Sequence, residues 1–225
     1  MTVAAISHTD EQIQDQVLAE LEWDPRVRST RNGVTVKDGV VTLTGWVDSY
    51  VKKLAAQRAA CRARGARAVV NDIKVRLPTF AQRTDSEIAA EARRALARHA
   101  LVPGERIQVT VSKGVITLGG EVTWEFEKRA AEGAVLRLVG VRGVVNNIEV
   151  RPPVGPSPEQ LTHQIAEALV RTAETDAQQV SVEVQGDKVI LRGTVCSWGE
   201  REEAERVAWS APGVTTVENH ITVVP

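Results

Sequence analysis

Residues 144–150 read VVNNIEV, and nearly the same seven letters recur as VVNDIKV at 69–75 and, more loosely, as TVENHITV at 216–223. Three further landmarks keep the same offsets of 75 and then 73 residues: Asn71, Asn146 and Asn219; Gly65, Gly140 and Gly213; Gly45, Gly120 and Gly193. A fixed period carried by several landmarks indicates internal repetition. We therefore predict three tandem copies of one small domain, at residues 8–78, 83–153 and 157–225.

Each copy begins with a helix signal. Thr9, Thr84 and Ser157 are each followed three residues later by Gln or Glu, which is the capping-box pattern. Apolar residues then recur at every fourth position: Ile13, Val17, Leu21; Ile88, Ala92, Leu96; Leu161, Ile165, Leu169. This spacing predicts an amphipathic first helix in every repeat.

Alternating apolar and polar residues follow, as VTVKDGVVTLTG at 34–45, VTVSKGVITLGG at 109–120 and VEVQGDKVILRG at 182–193. Each run predicts a β-hairpin with one buried face. A second helix with an alanine-bearing stripe comes next, and Gly65 or its counterpart ends it. The quoted stretch is then the last strand, where we expect the asparagine to tie down the preceding loop. The predicted fold is α+β, in the order α-β-β-α-β, with both helices on one face of a three-stranded sheet.

The residues that define this unit resemble the BON domain, named for bacterial osmotically induced and nodulation proteins. The resemblance rests on V-x-L-x-G from Val41 to Gly45, on the alanine-bearing helix, and on G-V-x-x-V-x-N-x-I-x-V from Gly140 to Val150. The first repeat departs with Ala66 after its glycine, and the third has His220 between Asn219 and Ile221.

The resemblance implies a non-catalytic binding or scaffold protein of envelope or osmotic stress, acting at anionic phospholipid surfaces or on protein partners. Because some relatives bind potassium, a cytoplasmic potassium-binding or ion-sensing protein is the alternative. We expect no other cofactor.

The sequence contains none of the motifs that are typical of catalytic sites. The sequence contains no P-loop, no G-x-S-x-G and no H-E-x-x-H, and its four histidines are isolated. We therefore expect no catalytic residue, no metal site and no enzyme. No apolar run is long enough to cross a bilayer, and no nucleic-acid partner is expected. The opening residues lack a secretion signal, which predicts a cytoplasmic protein if residue 1 is the natural start.

Charge is distributed unevenly among the repeats. The net charge is +3 over residues 1–78, +2 over 79–153 and −6 over 154–225. Between Tyr50 and Arg67 the first repeat carries only basic charges, on Lys52, Lys53, Arg58, Arg62, Arg64 and Arg67. The third repeat has Glu200, Glu202, Glu203 and Glu205 in the corresponding stretch. We predict that any binding to an anionic surface works through the first repeat.

One apolar position of the second helix lies away from the alanine stripe. Cys61, Leu136 and Trp209 occupy it, which predicts contacts between domains, with a partner, or between copies of the chain. We interpret the tryptophans at 23, 46, 124 and 198 as lids over small cores, with exposed interaction loops as the alternative.

Overall fold

The structure is a computed structural model that describes residues 9–27, 32–152, 157–171 and 180–223. The predicted boundaries at residues 8, 153 and 225 lie outside these ranges. The helices are α1 (Asp10–Trp23), α2 (Tyr50–Cys61), α3 (Asp85–Arg98), α4 (Glu125–Val135), α5 (Pro158–Arg171) and α6 (Trp198–Trp209). The strands are β1 (Asn32–Lys37), β2 (Val40–Val47), β3 (Ala68–Asn71), β4 (Lys74–Val75), β5 (Ile107–Ser112), β6 (Val115–Val122), β7 (Gly143–Val150), β8 (Val180–Gln185), β9 (Lys188–Val195) and β10 (Thr216–Val223).

Every repeat builds one small mixed sheet with its second strand in the centre. The hairpin partner pairs antiparallel to that strand, and the last strand pairs parallel to it. The second helix is therefore the crossover that a parallel pair requires. In the first repeat the last strand is interrupted between Asn71 and Lys74, so it pairs with β2 as β3 and β4. The predicted α+β fold in the order α-β-β-α-β is confirmed.

The core of the third repeat shows how the two helices share one face of the sheet. Leu161, Ile165 and Leu169 from α5 meet Ala204, Val207 and Ala208 from α6. Val189, Leu191 and Val195 of the central strand complete the cluster. Strand residues two apart point to the same side, so both helices cover one face, as the sequence pattern predicts.

The first helix also holds the hairpin turn in two of the repeats. Both central residues of the first turn, Asp38 and Gly39, have positive φ, as the tight hairpin turn demands. The Asp10 carboxylate accepts hydrogen bonds from their amides at 2.8 and 2.9 Å. Asp85 holds the equivalent turn of the second repeat, with both distances 2.8 Å. The third repeat has Pro158 at this helix position and so cannot form the clamp.

The glycine that closes V-x-L-x-G is required by close packing of the backbone. Gly120 has a φ of 116°, and a Cβ atom added there would lie 2.1 Å from the carbonyl oxygen of Arg106. Gly45 and Gly193 have φ values of 118° and 135°. A side chain would be strained at the positive φ of all three glycines, and at Gly120 it would also collide with the backbone of Arg106, which explains the recurrence of glycine.

The repeated asparagine ties the last strand to the second helix, and the expectation that it holds the preceding loop is wrong. Asn146 donates to the carbonyl oxygen of Lys128 at 3.0 Å and to the Glu132 carboxylate at 3.2 Å. Its own oxygen accepts from the amide of Ile148 at 3.3 Å. The side chain can reach the helix because α4 and β7 pack against each other.

By its internal contacts the chain divides into two compact units that do not follow the repeat boundaries. The first unit holds the described residues up to Gly45, Ala55–Ile73 and the described part of the third repeat. The second unit holds Trp46–Leu54, the end of the first repeat from Lys74 onward, and the described part of the second repeat. The first and third repeats thus contribute to one unit although the second repeat separates them in the sequence.

Candidate functional site

Helix α2 packs closely against its neighbours on one side and carries an exposed arginine on the other. Ala55, Ala56, Ala59 and Ala60 are all buried, because their small side chains let the helix backbone approach its neighbours. Arg58 lies on the side of the helix that faces away from these alanines, and its side chain is exposed. The helix therefore presents Arg58 to solvent from a packed support.

Two of the six predicted basic residues are already neutralised. Lys52 forms an ion pair with Asp48 at 2.7 Å, one helical turn away. Arg62 pairs with Glu20 at 2.7 Å and lies 3.9 Å from Asp24. The carboxylate of Asp24 is held mainly by hydrogen bonds from Arg26, which lower its pKa to about 2.

The other four basic residues differ in their surroundings. Lys53 is half-buried, whereas Arg58, Arg64 and Arg67 are exposed and form no ion pair with any described residue. The stem of Arg67 lies against the turn at Gly39, as that of Arg142 does at Gly114 in the second repeat, so this arginine belongs to the shared framework. Arg58 and Arg64 are therefore the free cations that are particular to the first repeat.

The third repeat carries acidic side chains in the corresponding stretch of its second helix, and most of them are engaged. Glu200 accepts from the amide of Cys196 at 3.0 Å, and Glu203 pairs with Arg206. Glu205 accepts from Asn219 at 3.0 Å. Glu202 is exposed and makes no hydrogen bond or ion pair with any residue in the described ranges. It is thus the free carboxylate of α6.

Within the first compact unit, the third repeat contacts the first. The indole nitrogen of Trp198 donates a hydrogen bond of 2.6 Å to the carbonyl oxygen of Ala66. The guanidinium of Arg201 lies 4.9 Å from the centre of the Trp198 ring and holds it on its own helix. Cys61 is half-buried nearby. Burial raises the pKa of its thiol to about 11, and the carboxylate of Glu202 adds to the rise.

The second compact unit has a comparable contact at the same helix position. Tyr50 is the first residue of α2, as Trp198 is of α6, and it reaches the second repeat. Burial raises the pKa of the Tyr50 phenol, while a hydrogen bond from the main chain of Val144 partly offsets the rise. In the second repeat the position is Glu125, and its Oε2 atom is buried without a hydrogen-bond partner among the described residues.

The importance of this helix position was not predicted from the sequence. The offsets of 75 and 73 residues align Tyr50, Glu125 and Trp198, and two aromatic residues in equivalent places are a signal that the alignment contains. The tryptophans alone do not reveal it, because Trp46 and Trp124 occupy other positions of their repeats.

The predicted contact positions Cys61, Leu136 and Trp209 have different surroundings. Cys61 lies beside the third repeat, as described above. Trp209 packs against the core of its own repeat, together with Ala211. Leu136 is half-buried at the end of α4, in the second unit. That these three positions mediate contacts between domains or copies stays a prediction.

The interpretation of the tryptophans as lids is wrong for two of them. Trp23 is 85% exposed, because it lies two residues beyond Leu21 and so off the buried stripe of α1. Trp46 is 45% exposed, with the guanidinium of Arg76 located 5.7 Å from its ring centre. Trp23 shares a shallow cleft at the end of α1 with Arg26 and Arg62.

The described ranges contain neither a cluster of potential metal ligands nor a helix that could span a membrane. Within those ranges, no three histidine, cysteine, aspartate or glutamate side chains gather where they could hold a metal ion. None of the described helices combines the length and the apolar character needed to traverse a bilayer. Cys61 and Cys196 are free thiols.

Comparison with solved structures finds the C-terminal domain of CdsD, a structural protein of the type III secretion system of Chlamydia trachomatis. One structure of it is 14% identical, with a TM-score of 0.27, and the match covers 94% of this chain and 96% of that one. A second CdsD structure gives a TM-score of 0.26 at 14% identity, over 94% of this chain and 91% of that one.

Comparison with protein sequences identifies two relatives and a family. An uncharacterized protein in the gshII 5' region of Anaplasma centrale is 30% identical over 52% of this chain and 80% of its own length. Osmotically-inducible protein Y of Escherichia coli (strain K12) is 28% identical over 61% of this chain and 71% of its own length. The family model of the BON domain matches residues 9–76, 84–152 and 157–225. The chain therefore belongs to the BON domain family and carries three tandem copies of the domain.

Proposed function

We propose that this protein is a non-catalytic binding protein of envelope or osmotic stress that attaches to anionic phospholipid surfaces through the first repeat. The observation that carries the proposal is the exposure of Arg58 and Arg64 without ion pairs to any described residue, on a stretch from residue 50 to 67 that contains no acidic residue. The relative named osmotically-inducible protein Y supports a role in osmotic stress. We place the protein in the cytoplasm, where its two free thiols would stay reduced.

An exposed aromatic residue of the first repeat, next to Arg62, supports binding to the same kind of ligand. Trp23 is 85% exposed and lines a shallow cleft with Arg62. Tryptophan is enriched where proteins meet the headgroup region of a membrane, because its ring is apolar and its N–H is polar. An indole beside an arginine suits a surface that offers phosphate groups above acyl chains.

The expected affinity is modest. Each basic residue near an anionic membrane contributes about 1 kcal/mol, so Arg58 and Arg64 together contribute about 2 kcal/mol. The ion pairs of Lys52 and Arg62 are exposed and worth about 0–1 kcal/mol each, so lipid phosphates can replace their carboxylate partners. Such attachment recruits the protein reversibly, and salt weakens it because charges at 0.15 M are screened beyond about 8 Å.

Co-sedimentation with phospholipid vesicles tests the proposal. Wild type should pellet with vesicles rich in phosphatidylglycerol at low salt, and much less at high salt or with phosphatidylcholine alone. The double variant Arg58→Glu/Arg64→Glu should bind at least about tenfold more weakly, because it removes about 2 kcal/mol of attraction.

The matched control is Arg93→Glu/Arg137→Glu, which makes the same change in net charge at exposed, unpaired arginines of the second repeat. It should pellet like wild type. If the two double variants lose binding equally, the attraction is a general effect of net charge and the proposed site is wrong.

A further inference from the structure

The third repeat lies against the basic segment of the first, which we define as Arg58–Arg67. Trp198 hydrogen-bonds to the carbonyl of Ala66 at 2.6 Å, and Ala66 is located between Arg64 and Arg67. The contact therefore falls within the segment that is proposed to meet the anionic surface. It joins residues that are 132 positions apart in the sequence.

The contact also carries a negative charge to this segment. Glu202 follows Trp198 by one helical turn, so both side chains lie on the same side of α6. Its carboxylate is exposed, makes no hydrogen bond or ion pair with a described residue, and acts electrostatically on Cys61. Cys61 stands between Arg58 and Arg62 on α2. The free carboxylate of the third repeat thus acts on a residue that lies within the basic segment of the first.

From this arrangement we propose that the third repeat is an internal competitor of the anionic surface. Trp198 anchors α6 against the basic segment, and Glu202 lowers the positive potential that lipid phosphates would meet there. The inference rests on the proposed function and names the regulation of the same site. Full attachment then requires the Trp198 contact to loosen or the Glu202 charge to be lost.

The physical reason is the short range of the interaction. Charges separated by less than the screening length of about 8 Å act on each other even at physiological salt. A carboxylate on the same side of α6 as the Trp198 anchor therefore repels lipid phosphates that approach the basic segment. The other glutamates of α6, Glu200, Glu203 and Glu205, are engaged by a backbone amide, by Arg206 and by Asn219, which leaves Glu202 as the free carboxylate of this helix.

The variant Glu202→Gln tests the charge alone. It keeps the size of the side chain and breaks no hydrogen bond in the described part of the chain, so folding should be unchanged. Binding to phosphatidylglycerol vesicles at low salt should rise about fivefold, which corresponds to the removal of one opposing charge at about 1 kcal/mol. The matched control is Glu105→Gln, at an exposed carboxylate of the second repeat that likewise has no ion pair. Equal binding by the two variants would overturn the inference.

The variant Trp198→Phe tests the anchor. It keeps an aromatic ring over Arg201 but removes the N–H that bonds to Ala66. We expect unchanged circular dichroism, faster amide hydrogen exchange across residues 62–67, and stronger vesicle binding. Faster exchange without stronger binding would show that the contact is only structural, which also overturns the inference.

The outcomes separate this inference from the function on which it rests. If no form of the protein pellets with anionic vesicles, both are wrong. If wild type pellets through Arg58 and Arg64 but Glu202→Gln and Trp198→Phe bind no better, the proposed function stands and the internal competition is wrong.

Discussion

Helices α2 and α6 occupy the same place in the first and third repeats, each has 12 residues, and they carry opposite charge. At the position of Arg58 the third repeat has Arg206, which Glu203 neutralises. The first repeat has Ala55 where the third has Glu203, so Arg58 is left unpaired. The carboxylate that neutralises Arg206 therefore has no counterpart beside Arg58.

The comparison teaches which positions the fold controls. The asparagine of the last strand bonds to the second helix in both repeats, through Gln57 in the first and Glu205 in the third. Positions that satisfy backbone or buried polar groups keep a hydrogen-bonding residue, because an unsatisfied group is costly. Other positions on the same helices carry no such constraint, and Leu54 of the first repeat corresponds to the exposed Glu202 of the third.

The largest effect should come from breaking the shared framework at its glycine landmark. Gly120→Ala should destabilise the protein by about 3 kcal/mol or more, because alanine is strained at positive φ and its Cβ would collide with the backbone of Arg106. Urea denaturation followed by circular dichroism measures the loss. The neighbouring Gly119→Ala is the control, since no atom lies within 4 Å of its added Cβ. Similar losses for the two variants would contradict the role given to the landmark.

A smaller loss of stability is expected when the asparagine of the last strand is removed, and its size should differ between the first and third repeats. Asn219→Ala removes bonds to Arg201, Glu205 and Ile221, and we expect a loss of about 1–3 kcal/mol. Asn71→Ala should cost less, because its partner Gln57 is neutral and hydrogen bonds to charged groups are stronger. The free energy of unfolding in urea checks both values.

Asn147→Ala is the control for these variants, because its side chain is exposed on β7, next to Asn146. It should change stability by less than about 0.5 kcal/mol. A larger cost for Asn71→Ala than for Asn219→Ala would show that the charge of Glu205 adds nothing to the clamp.

The smallest loss of stability is expected at the position of Lys52 in the first repeat and Glu200 in the third, which make different interactions. Glu200 caps the start of α6 by accepting from the amide of Cys196, whereas Lys52 in the same place pairs with Asp48 at the surface. Glu200→Ala should cost about 1 kcal/mol, as the loss of a helix cap does. Lys52→Ala should cost about 0–0.5 kcal/mol, because exposed ion pairs contribute little. Thermal melting distinguishes the two, and equal shifts would mean that the cap is not used.

The fold could be predicted from the sequence because its determinants are local and repeated. Alternation around Asp38-Gly39 and its counterparts indicates the hairpins, and Thr9 and Thr84 mark the first helices through capping boxes that the structure contains. The partner of the asparagine was predicted wrongly, because a strand pattern shows which side a residue faces and not which helix lies above it.

The surroundings of the candidate site could be predicted only in part. The run of basic residues is evident in the sequence, yet the neutralisation of Arg62 depends on Glu20, which is 42 positions away. The bond from Trp198 to Ala66 depends on how two non-adjacent repeats meet, and no local pattern encodes that. Periodicity likewise placed Trp209 away from its own core, although a large ring at the end of α6 reaches back to it.

The separation of 132 residues between Ala66 and Trp198 has a consequence for synthesis of the chain. Ribosomes extend a protein by roughly 5–20 residues per second, so Ala66 is made about 7–26 s before Trp198 can reach it. During that interval the first repeat is complete while the acidic helix does not yet exist. In the nascent chain no acidic helix competes for the basic segment. The internal competition begins only when the last repeat has been made.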